Sequence, residues 1–236
     1  MILEKSLVYK LFTGGVKQLG DPQAEDKLER PWESGIFKEE TEDAVFLSET
    51  GFTGDDVADK RNHGGPEKAV FAYSVKHYED WRRELDADIG PGGNGENLSV
   101  TGMDETTVCI GDTYRLGEAL IQVSQPRRPC WKPARRHKIL DLALRIQKTG
   151  RTGWYFRVLE EGKIRSGDAF ERVSRPYPEW TIRACNEVMH EQKDNLGLAE
   201  SLAACSLLAK NWKNTLDKRL TGKEGGIDKR VYGPNR

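Results

Sequence analysis

The chain has 236 residues, with 37 Lys and Arg against 38 Asp and Glu, and its formal net charge is −1 at pH 7. This length allows one large β domain or one domain with a small appendage, and the charge balance excludes a global field that would attract nucleic acid or a membrane surface. No stretch approaches the ~18–20 apolar residues needed to span a bilayer, and residues 1–15 lack the pattern of a secretory signal peptide, so we expect a cytoplasmic protein.

Short β-like runs separated by turn signals fill residues 6–173, a pattern typical of a barrel or sandwich. The predicted strands lie within residues 6–12, 44–51, 68–74, 96–100, 106–126 and 153–173. The fifth run divides into two strands around a turn at 111–112 and continues into a hairpin through 116–118. Two segments interrupt the strands with apolar residues at helical spacing. These predicted helices are 75–85 and 138–150.

The segment DKRNHGGPEKAVFAY, residues 59–73, is the first candidate site. Its Gly-Gly-Pro triplet at 64–66 predicts a tight turn whose consecutive backbone N–H groups can face an anion. Arg61, His63 and Lys68 surround that turn with positive charge, and His63 could donate a proton near neutral pH. The alternative is an ordinary turn with a hydrogen-bonding histidine.

A glycine-rich segment, GPGGNGENLSVTG at residues 90–102, is the second candidate. Together with Asn94, Glu96 and Asn97, its glycines make a loop that can approach a ligand closely. The segment is not a phosphate-binding P-loop, because it lacks the required lysine and a following helix, and it does not fit the dinucleotide fingerprint. Its composition alone indicates only a flexible turn.

The third candidate is QPRRPCWKPARRHK, residues 125–138, where one cysteine lies among six Lys or Arg residues, a histidine and no acid. Nearby cations lower the pKa of a thiol and favour the thiolate, which is a nucleophile or metal ligand at neutral pH. Pro126, Pro129 and Pro133 exclude a regular helix or central strand around Cys130. Cations that do not face Cys130 could neutralise a second anion, such as a phosphate. The alternative is a solvated basic loop with an incidental thiol.

The other three cysteines lie in apolar strand-like or helix-like surroundings, and we predict that they are small buried side chains. They are Cys109, Cys185 and Cys205. The sequence has no C-x-x-C pair, no zinc-ligand spacing and no serine-nucleophile elbow. Cys130 is therefore the candidate reactive cysteine.

The pattern changes from strands to helices beyond Val173. After a proline-marked linker, three segments have helical periodicity. They are residues 180–191, 195–205 and 206–220. Three short helices bury little surface alone, so we expect a small bundle that packs on the β domain or on a second subunit. The predicted parts of the chain are a β domain at 1–173, a three-helix domain at 174–222 and a flexible tail at 223–236.

Together, the three candidate segments in this order resemble the MOSC domain family, the module related to the C-terminal part of molybdenum cofactor sulfurase. The resemblance covers roughly residues 1–173 and includes a signature cysteine at Cys130. The whole chain resembles the YiiM-type members of the family, which add a C-terminal three-helix domain. The resemblance implies a mainly β fold, a MOSC-type β-barrel with interspersed helices, plus a small C-terminal three-helix domain.

The resemblance also implies a cofactor and a reaction. The cofactor is a molybdenum–pterin cofactor (molybdopterin) with the Cys130 thiolate as metal ligand, and a soft thiolate suits such a centre. The reaction is the reduction of N-hydroxylated compounds, such as 6-hydroxylaminopurine, in detoxification. Cys130 and His63 are then the predicted catalytic residues, with His63 as the proton donor.

The remaining site assignments follow the positive charges and polar side chains around the three segments. The phosphate of the pterin is an anion that Lys and Arg bind well. The predicted cofactor-binding residues are Arg61, Lys68, Arg127, Arg128, Lys132 and Arg157. The residues predicted to line the substrate opening are Asn94, Glu96 and Asn97.

The expected partners are an external reductase that donates electrons and an N-hydroxylated base or amine as substrate. The sequence has no flavin motif, iron–sulfur cysteine set or dinucleotide fingerprint, so the electrons are expected from a separate protein. A homodimer would give the helices another surface to bury, and no nucleic acid or membrane partner is expected.

Two other classes of function stay open at this point. A carrier would bind the molybdenum cofactor, or hold sulfur as a persulfide on Cys130, without turnover. An RNA- or DNA-binding barrel would use the basic loop. The near-neutral charge and the few aromatic residues near that loop weaken the nucleic-acid alternative.

Overall fold

Thirteen strands lie within residues 5–236, the part of the chain that the computed structural model describes. Residues 1–4, which begin the predicted 1–173 domain, lie outside the described residues. The strands are β1 (Leu7–Thr13), β2 (Lys17–Leu19), β3 (Trp32–Ser34), β4 (Glu39–Thr41), β5 (Val45–Ser48), β6 (Gly51–Phe52), β7 (Val70–Ser74), β8 (Leu98–Thr101), β9 (Thr113–Leu116), β10 (Ala119–Pro126), β11 (Trp154–Glu160), β12 (Gly162–Ile164) and β13 (Glu171–Ser174).

Eight α-helices and two 3-10 helices occur in the same described range. The α-helices are α1 (Lys60–His63), α2 (Lys76–Leu85), α3 (Lys132–His137), α4 (Leu142–Thr149), α5 (Ile182–His190), α6 (Leu196–Ala204), α7 (Lys210–Leu220) and α8 (Asp228–Val231). The 3-10 helices span Pro66–Lys68 and Gly233–Asn235. No helix in residues 5–236 combines the length and the apolar character needed to cross a membrane.

Eight of the strands form one curled, mixed sheet in the order β13-β9-β10-β11-β7-β8-β1-β4. Neighbouring strands pair antiparallel, except β7 and β8, which are parallel. The chain before β13 returns to β1, where Val8 N donates to Asp168 O at 2.9 Å and Phe170 N donates to Ser6 O at 3.0 Å. These bonds curl the sheet into a half-barrel. The predicted mainly β architecture with interspersed helices is therefore confirmed.

Side chains are buried on both faces of the large sheet at strand β7. All five of its residues are buried, and their side chains alternate between the two faces. Val70 and Ala72 belong to the main core, whereas Phe71 and Tyr73 pack with Trp81 of α2. Burying a large apolar side chain contributes on the order of 1.5–3 kcal/mol relative to exposure. The packing of α2 thus stabilises the strand that begins beside the candidate site.

Helices α5, α6 and α7 pack against the end of β10. Trp212 of α7 is fully buried and its Nε1 donates to Pro126 O at 3.0 Å. Ala209 N, at the start of the same helix, donates to Ser124 O at 2.9 Å. The bundle was expected to pack on the β domain or on a second subunit. These bonds show that it packs on the β domain of its own chain. The three-helix part of the predicted fold is confirmed.

The basic segment around Cys130 is divided among three kinds of structure. Its first two residues end β10, residues 127–131 have no regular structure, and α3 begins at Lys132. Pro133 lies in the first turn of α3, where the missing N–H of proline costs no helical hydrogen bond. Cys130 itself has no regular structure, as predicted from the three prolines, but a helix begins two residues later, where none was expected. The helix predicted at 138–150 is correspondingly shorter, because Lys138 has φ 57° and ends α3.

One predicted strand is absent in the described chain. Residues 106–110 form only an isolated bridge between Cys109 and Thr181. The side chain of Asp112 accepts a hydrogen bond from Cys109 N at 3.0 Å and closes a turn there. Cys109, Cys185 and Cys205 are all buried, as predicted.

The C-terminal tail is folded rather than flexible over residues 228–235. Val231 is fully buried and packs with Ala143 of α4, and Tyr232 is buried in the same cluster. Asn235 is also buried and bonds to Arg135 of α3. The segment 223–236, expected to be flexible, thus includes residues that are packed in the structure. The tail has no strong periodicity of its own, and its order comes from packing on residues distant in sequence.

Candidate functional site

The three candidate segments meet at one cavity. The empty space there is about 820 Å³, part of it open to solvent. The predicted site residues that line it are His63, Lys68, Asn94, Asn97, Arg127, Cys130 and Lys132. Segments up to 70 residues apart in the chain therefore contribute to one wall.

Cys130 lies in the irregular loop between β10 and α3. The loop leaves the sheet at Arg127, whose backbone N–H donates to Gly153 O at 3.0 Å. Cys130 is 8% exposed, lines the cavity and accepts a hydrogen bond from the backbone N–H of Lys132. The prolines on either side restrict the main chain, so the thiol has a defined position at the cavity wall.

The surroundings of Cys130 lower the pKa of its thiol. Burial by itself would raise that pKa, but the charge of His63, a hydrogen bond with the His63 side chain and the charge of Arg127 outweigh burial. The Lys132 N–H adds to them, and the result is a pKa of about 6. At neutral pH the thiolate is then the main form, and it is the form that attacks electrophiles and binds metals.

His63 reaches Cys130 because of the short helix before the glycine turn. Asp59 caps α1, with its Oδ1 accepting from Asn62 N at 3.1 Å, and Asp59 O accepts from His63 N at 2.9 Å. The chain then turns through Gly65, which has φ +92°, a conformation that favours glycine. The helix thus ends with the imidazole at the cavity, beside the Cys130 thiol.

Arg127 and Lys68 bring positive charge to the same wall. Arg127 is 5% exposed, and its Nη1 has no hydrogen-bond partner among the described residues. Lys68 Nζ donates to Asn62 O at 2.8 Å, and burial lowers its pKa. A buried donor without a partner costs about 1–3 kcal/mol, more when it is charged. This wall is therefore suited to an anionic ligand.

Three of the predicted cofactor-binding arginines do not line the cavity. Arg61 is exposed on α1. Arg128 Nη1 donates to Thr215 Oγ1 of α7 at 2.8 Å. Arg157 donates to Gln122 Oε1 at 3.0 Å and to Leu207 O at 2.9 Å. Arg128 and Arg157 therefore connect the sheet to the C-terminal helices instead of facing the cavity.

The glycine-rich segment is an ordered loop rather than a flexible turn. Glu96 is fully buried, and its carboxylate accepts hydrogen bonds from Gly92 N at 2.7 Å, Ser99 Oγ at 2.7 Å and Asn94 N at 3.1 Å. It also accepts one from Tyr78 OH. Glu96 does not line the cavity but holds the loop that does. Asn94 and Asn97 remain at the cavity wall.

The cavity lining also contains an ion pair that no sequence pattern predicted. Lys38 and Asp55 pair directly, with side chains only 4% and 10% exposed. Asp55 also accepts from Gly14 N at 3.0 Å and from Asn97 Nδ2 at 2.9 Å. No local pattern connects positions 38 and 55, so the sequence holds no signal for this pair. It fixes one side of the cavity and the side chain of Asn97.

Three further lining residues were also missed. Phe71 and Tyr155 give the cavity an aromatic surface, with their ring centroids 5.3 Å apart. Asp59 lines the cavity too; burial opposes its ionisation, but its bonds to Asn62 and the charges of His63 and Lys132 lower its pKa. An aspartate before a short polar helix is a common N-cap signal, and this signal could have identified Asp59.

Within residues 5–236, no group of three or more His, Cys, Asp and Glu side chains is placed to hold a metal ion. Cys130 is the soft ligand that the cavity offers. Its thiolate, the unpartnered Nη1 of Arg127 and the neighbouring lysines fit a ligand that has both a soft metal centre and an anionic group.

Comparison with known families gives two matches along the chain. The MOSC domain matches residues 59–171, and the YiiM-like, 3-alpha helix domain matches residues 180–222. The protein YflK of Bacillus subtilis (strain 168) is 40% identical over 201 residues, which cover 85% of this chain and 91% of YflK.

Two further similarities cover most of the chain. A protein of Gibberella moniliformis (strain M3125 / FGSC 7600) named "Reductase" is 41% identical over 179 residues, which cover 74% of this chain but only 31% of that protein. The crystal structure of YiiM from Geobacillus stearothermophilus superposes with a TM-score of 0.76 and 32% identity, covering 91% of this chain and 99% of that one.

Proposed function

The chain belongs to the MOSC-domain proteins with a YiiM-like three-helix domain, and from this premise we propose that it is a molybdenum-cofactor-dependent reductase of N-hydroxylated compounds. As a MOSC-domain protein, it is of the general molybdenum-cofactor type. The similarity to a protein named "Reductase" supports redox chemistry. The proposed substrates are N-hydroxylated bases and amines, with 6-hydroxylaminopurine as the test compound.

One observation supports the proposal most strongly: a thiol with a pKa of about 6 shares a cavity with His63 and with an arginine that has an unpartnered nitrogen. Cys130 would hold the metal. Arg127, Lys68 and Lys132 would bind the phosphate, since charge-assisted hydrogen bonds to phosphate are strong. When bound, the cofactor would supply two-electron redox chemistry at molybdenum.

The residues of the chain would orient the substrate and handle its protons. Breaking the N–O bond of a hydroxylamine consumes two electrons and two protons and yields an amine and water. His63 would donate one proton to the departing oxygen. Asn94 would hydrogen bond to the substrate, whereas Asn97, whose amide already bonds to Phe12 O, Asp55 and Phe71 N, would hold the cavity wall. The aromatic surface of Phe71 and Tyr155 would exclude water from the reacting bond.

The proposed source of the electrons is a separate reductase. This assignment rests on the sequence of the chain, which has no flavin, iron–sulfur or dinucleotide motif. A cofactor-loaded protein that reduced its substrate at full rate with NADPH alone would contradict it. Dithionite as an artificial donor separates the chemistry at the cavity from the delivery of electrons.

The decisive test is the molybdenum content of protein expressed in cells that make the cofactor. Wild type should contain molybdenum, and Cys130→Ser should lose most of it. Cys109→Ser is the matched control, because Cys109 is also buried and its Sγ donates to Pro178 O, a bond that serine can keep. Equal molybdenum in wild type and Cys130→Ser would contradict the proposal.

An activity assay then separates an enzyme from a carrier. The loaded protein is supplied with 6-hydroxylaminopurine and dithionite, and the amine product is measured. Turnover that requires Cys130 supports a reductase. Bound molybdenum without turnover would instead indicate a carrier of the cofactor.

A further inference from the structure

The C-terminal segment, residues 227–235, contacts the loop that contains Cys130. It lies beyond the region that matches the three-helix domain, which ends at residue 222. The loop at 127–131 has no regular structure, so its main chain depends on partners from outside. The C-terminal segment supplies several of them.

Arg230 bonds to the main chain on both sides of Cys130. Its Nη1 donates to the carbonyl oxygen of Pro129, the residue before Cys130. Its own carbonyl oxygen accepts a hydrogen bond at 2.9 Å from the backbone N–H of Trp131, the residue after Cys130. A single residue from the end of the chain thus holds the peptide groups that flank the thiol.

The other end of the Arg230 guanidinium is anchored on α4. Its Nη2 donates to Gln147 Oε1 at 2.6 Å, and Gln147 is buried. The neighbouring Val231 packs on Ala143 of the same helix. The guanidinium therefore connects a rigid helix to the irregular loop, and its planar fork fixes both distances at once.

The last residues of the segment hold the loop from a second side. Asn235 Nδ2 donates to Trp131 O at 3.3 Å, and Asn235 Oδ1 accepts from Arg135 Nε at 2.7 Å. Gly233 lies so close to the Trp131 ring that a Cβ atom there would come within 2.3 Å of it. Trp131 is thus held through its N–H, its carbonyl and its ring.

From these contacts we infer that Arg230 is a positioning residue: the C-terminal segment fixes the main chain on both sides of Cys130 and so sets where the thiol lies in the cavity. The consequence for catalysis rests on the proposed function, whereas the positioning itself does not. A reacting group displaced by about 1 Å can lose on the order of a hundredfold in rate. Without the bonds from the C-terminal segment, the irregular loop would let Cys130 move by about 1 Å or more.

The test measures how fast iodoacetamide alkylates each cysteine in the cofactor-free, full-length protein, with mass spectrometry to separate the four thiols. Cys130 is 8% exposed, so its modification requires the loop to open. The reaction is run at about pH 9, where Cys130 is already a thiolate and differences in ionisation do not affect its rate. Cys109, Cys185 and Cys205 report on opening of the rest of the fold.

Arg230→Ala should accelerate alkylation of Cys130 by about fivefold or more, because the loop loses its bond at Pro129. The other three cysteines should keep their rates. Arg230→Lys should give a partial acceleration, because an ammonium can keep a bond to one of the two acceptors but lacks the planar fork that spans Pro129 and Gln147 in fixed geometry. Lys229→Ala is the matched control, exposed and next to Arg230, and should behave like wild type.

An unchanged Cys130 rate in Arg230→Ala, full rescue by lysine, or equal acceleration of all four cysteines would each overturn the inference. If Arg230→Ala does not fold, Gln147→Leu removes the anchor of the guanidinium without altering the C-terminal segment, and a smaller acceleration confined to Cys130 is expected. The assay needs no molybdenum and no substrate. Failure of the proposed function would therefore leave its result unaffected.

Discussion

The guanidinium of Arg127 lies 4.9 Å from the ring centroid of Phe71, and its Nη1 finds no hydrogen-bond partner in the part of the chain that the structure describes. The aromatic ring partly compensates the buried charge through a cation–π contact. It does not replace the missing hydrogen bond. The cavity thus holds a cation whose bonding is incomplete until an anion enters.

Replacing Arg127 by methionine should therefore cost the cofactor-free protein little. In Arg127→Met the lost cation–π contact and the removed unpaired donor roughly cancel, so the free energy of unfolding should change by less than about 1 kcal/mol. The molybdenum content of protein from cofactor-making cells should fall strongly. Urea unfolding and metal analysis measure the two effects.

The control for that variant is Arg219→Met. Arg219 is also buried, but it donates to Val188 O and Met189 O at 2.7 Å each and pairs with Glu224. Removing the guanidinium leaves these two buried carbonyl oxygens without their donor, so the unfolding free energy should fall by about 1–3 kcal/mol. Similar losses in the two arginine variants would show that Arg127 is already satisfied without a ligand.

The reactivity of Cys130 in the cofactor-free protein should depend on pH with a midpoint near the pKa of about 6. Its thiolate is stabilised, so the alkylation rate should be constant above pH 7 and fall as the pH drops through 6, where the thiol takes up its proton. His63→Gln removes the largest stabilising contribution, and the midpoint should move toward the ordinary value of 9.0. Iodoacetamide kinetics from pH 5 to about 10 check both curves. A midpoint that stays in place in His63→Gln would exclude the contact between the two side chains.

The ion pair of Lys38 and Asp55 should be strongly required for stability. Lys38→Met leaves the Asp55 carboxylate buried without its cation, and the unfolding free energy should fall by about 3–5 kcal/mol. The double variant with Asp55→Asn should recover much of that loss, because the amide is neutral. Lys17→Met breaks the exposed pair with Glu39 and should change stability by less than about 1 kcal/mol. Equal effects of the two lysine variants would refute a buried pair.

Replacing the arginines outside the cavity should leave cofactor binding unchanged, whatever it does to stability. Arg157→Ala loses the bonds to Gln122 and Leu207, so the unfolding free energy should fall by about 1–3 kcal/mol. The molybdenum content per folded molecule should remain at the wild-type level. Arg61→Ala should change neither quantity, because its side chain is exposed. A selective loss of molybdenum in either variant would indicate that the replaced arginine binds the cofactor.

Alternation and helical spacing predicted most strands of the large sheet and the main helices. They did not predict the short strands β2, β3 and β4 or the short helices α1 and α3. The convergence of the three segments was predicted only through the family resemblance. No local rule places His63, Asn94 and Cys130 at one cavity. The pairings of β7 with β8 and with β11 bring them together, and these are contacts between distant parts of the chain.

The sequence does not predict which of two adjacent arginines lines the cavity. Arg127 and Arg128 have the same charge, yet one lines the cavity and the other bonds to α7. Both residues follow the end of β10, where the chain has no regular structure, and the sequence does not say which of them faces the ligand. Glu96 was assigned to the substrate opening because it lies in the glycine-rich segment with Asn94 and Asn97. Its actual bonds, to Gly92, Tyr78 and Ser99, depend on the folded loop.

The parallel pairing of β7 and β8 has a consequence for how this cavity can change. Two parallel neighbours require a crossover that passes over the sheet, and here the crossover consists of α2 and the glycine-rich loop. Residues added between Asp86 and Gly90 would lengthen the crossover without shifting the register of either strand. This crossover contributes Asn94 and Asn97 to the cavity, whereas Cys130 lies on a different connection, so the length of the crossover can change while Cys130 keeps its place.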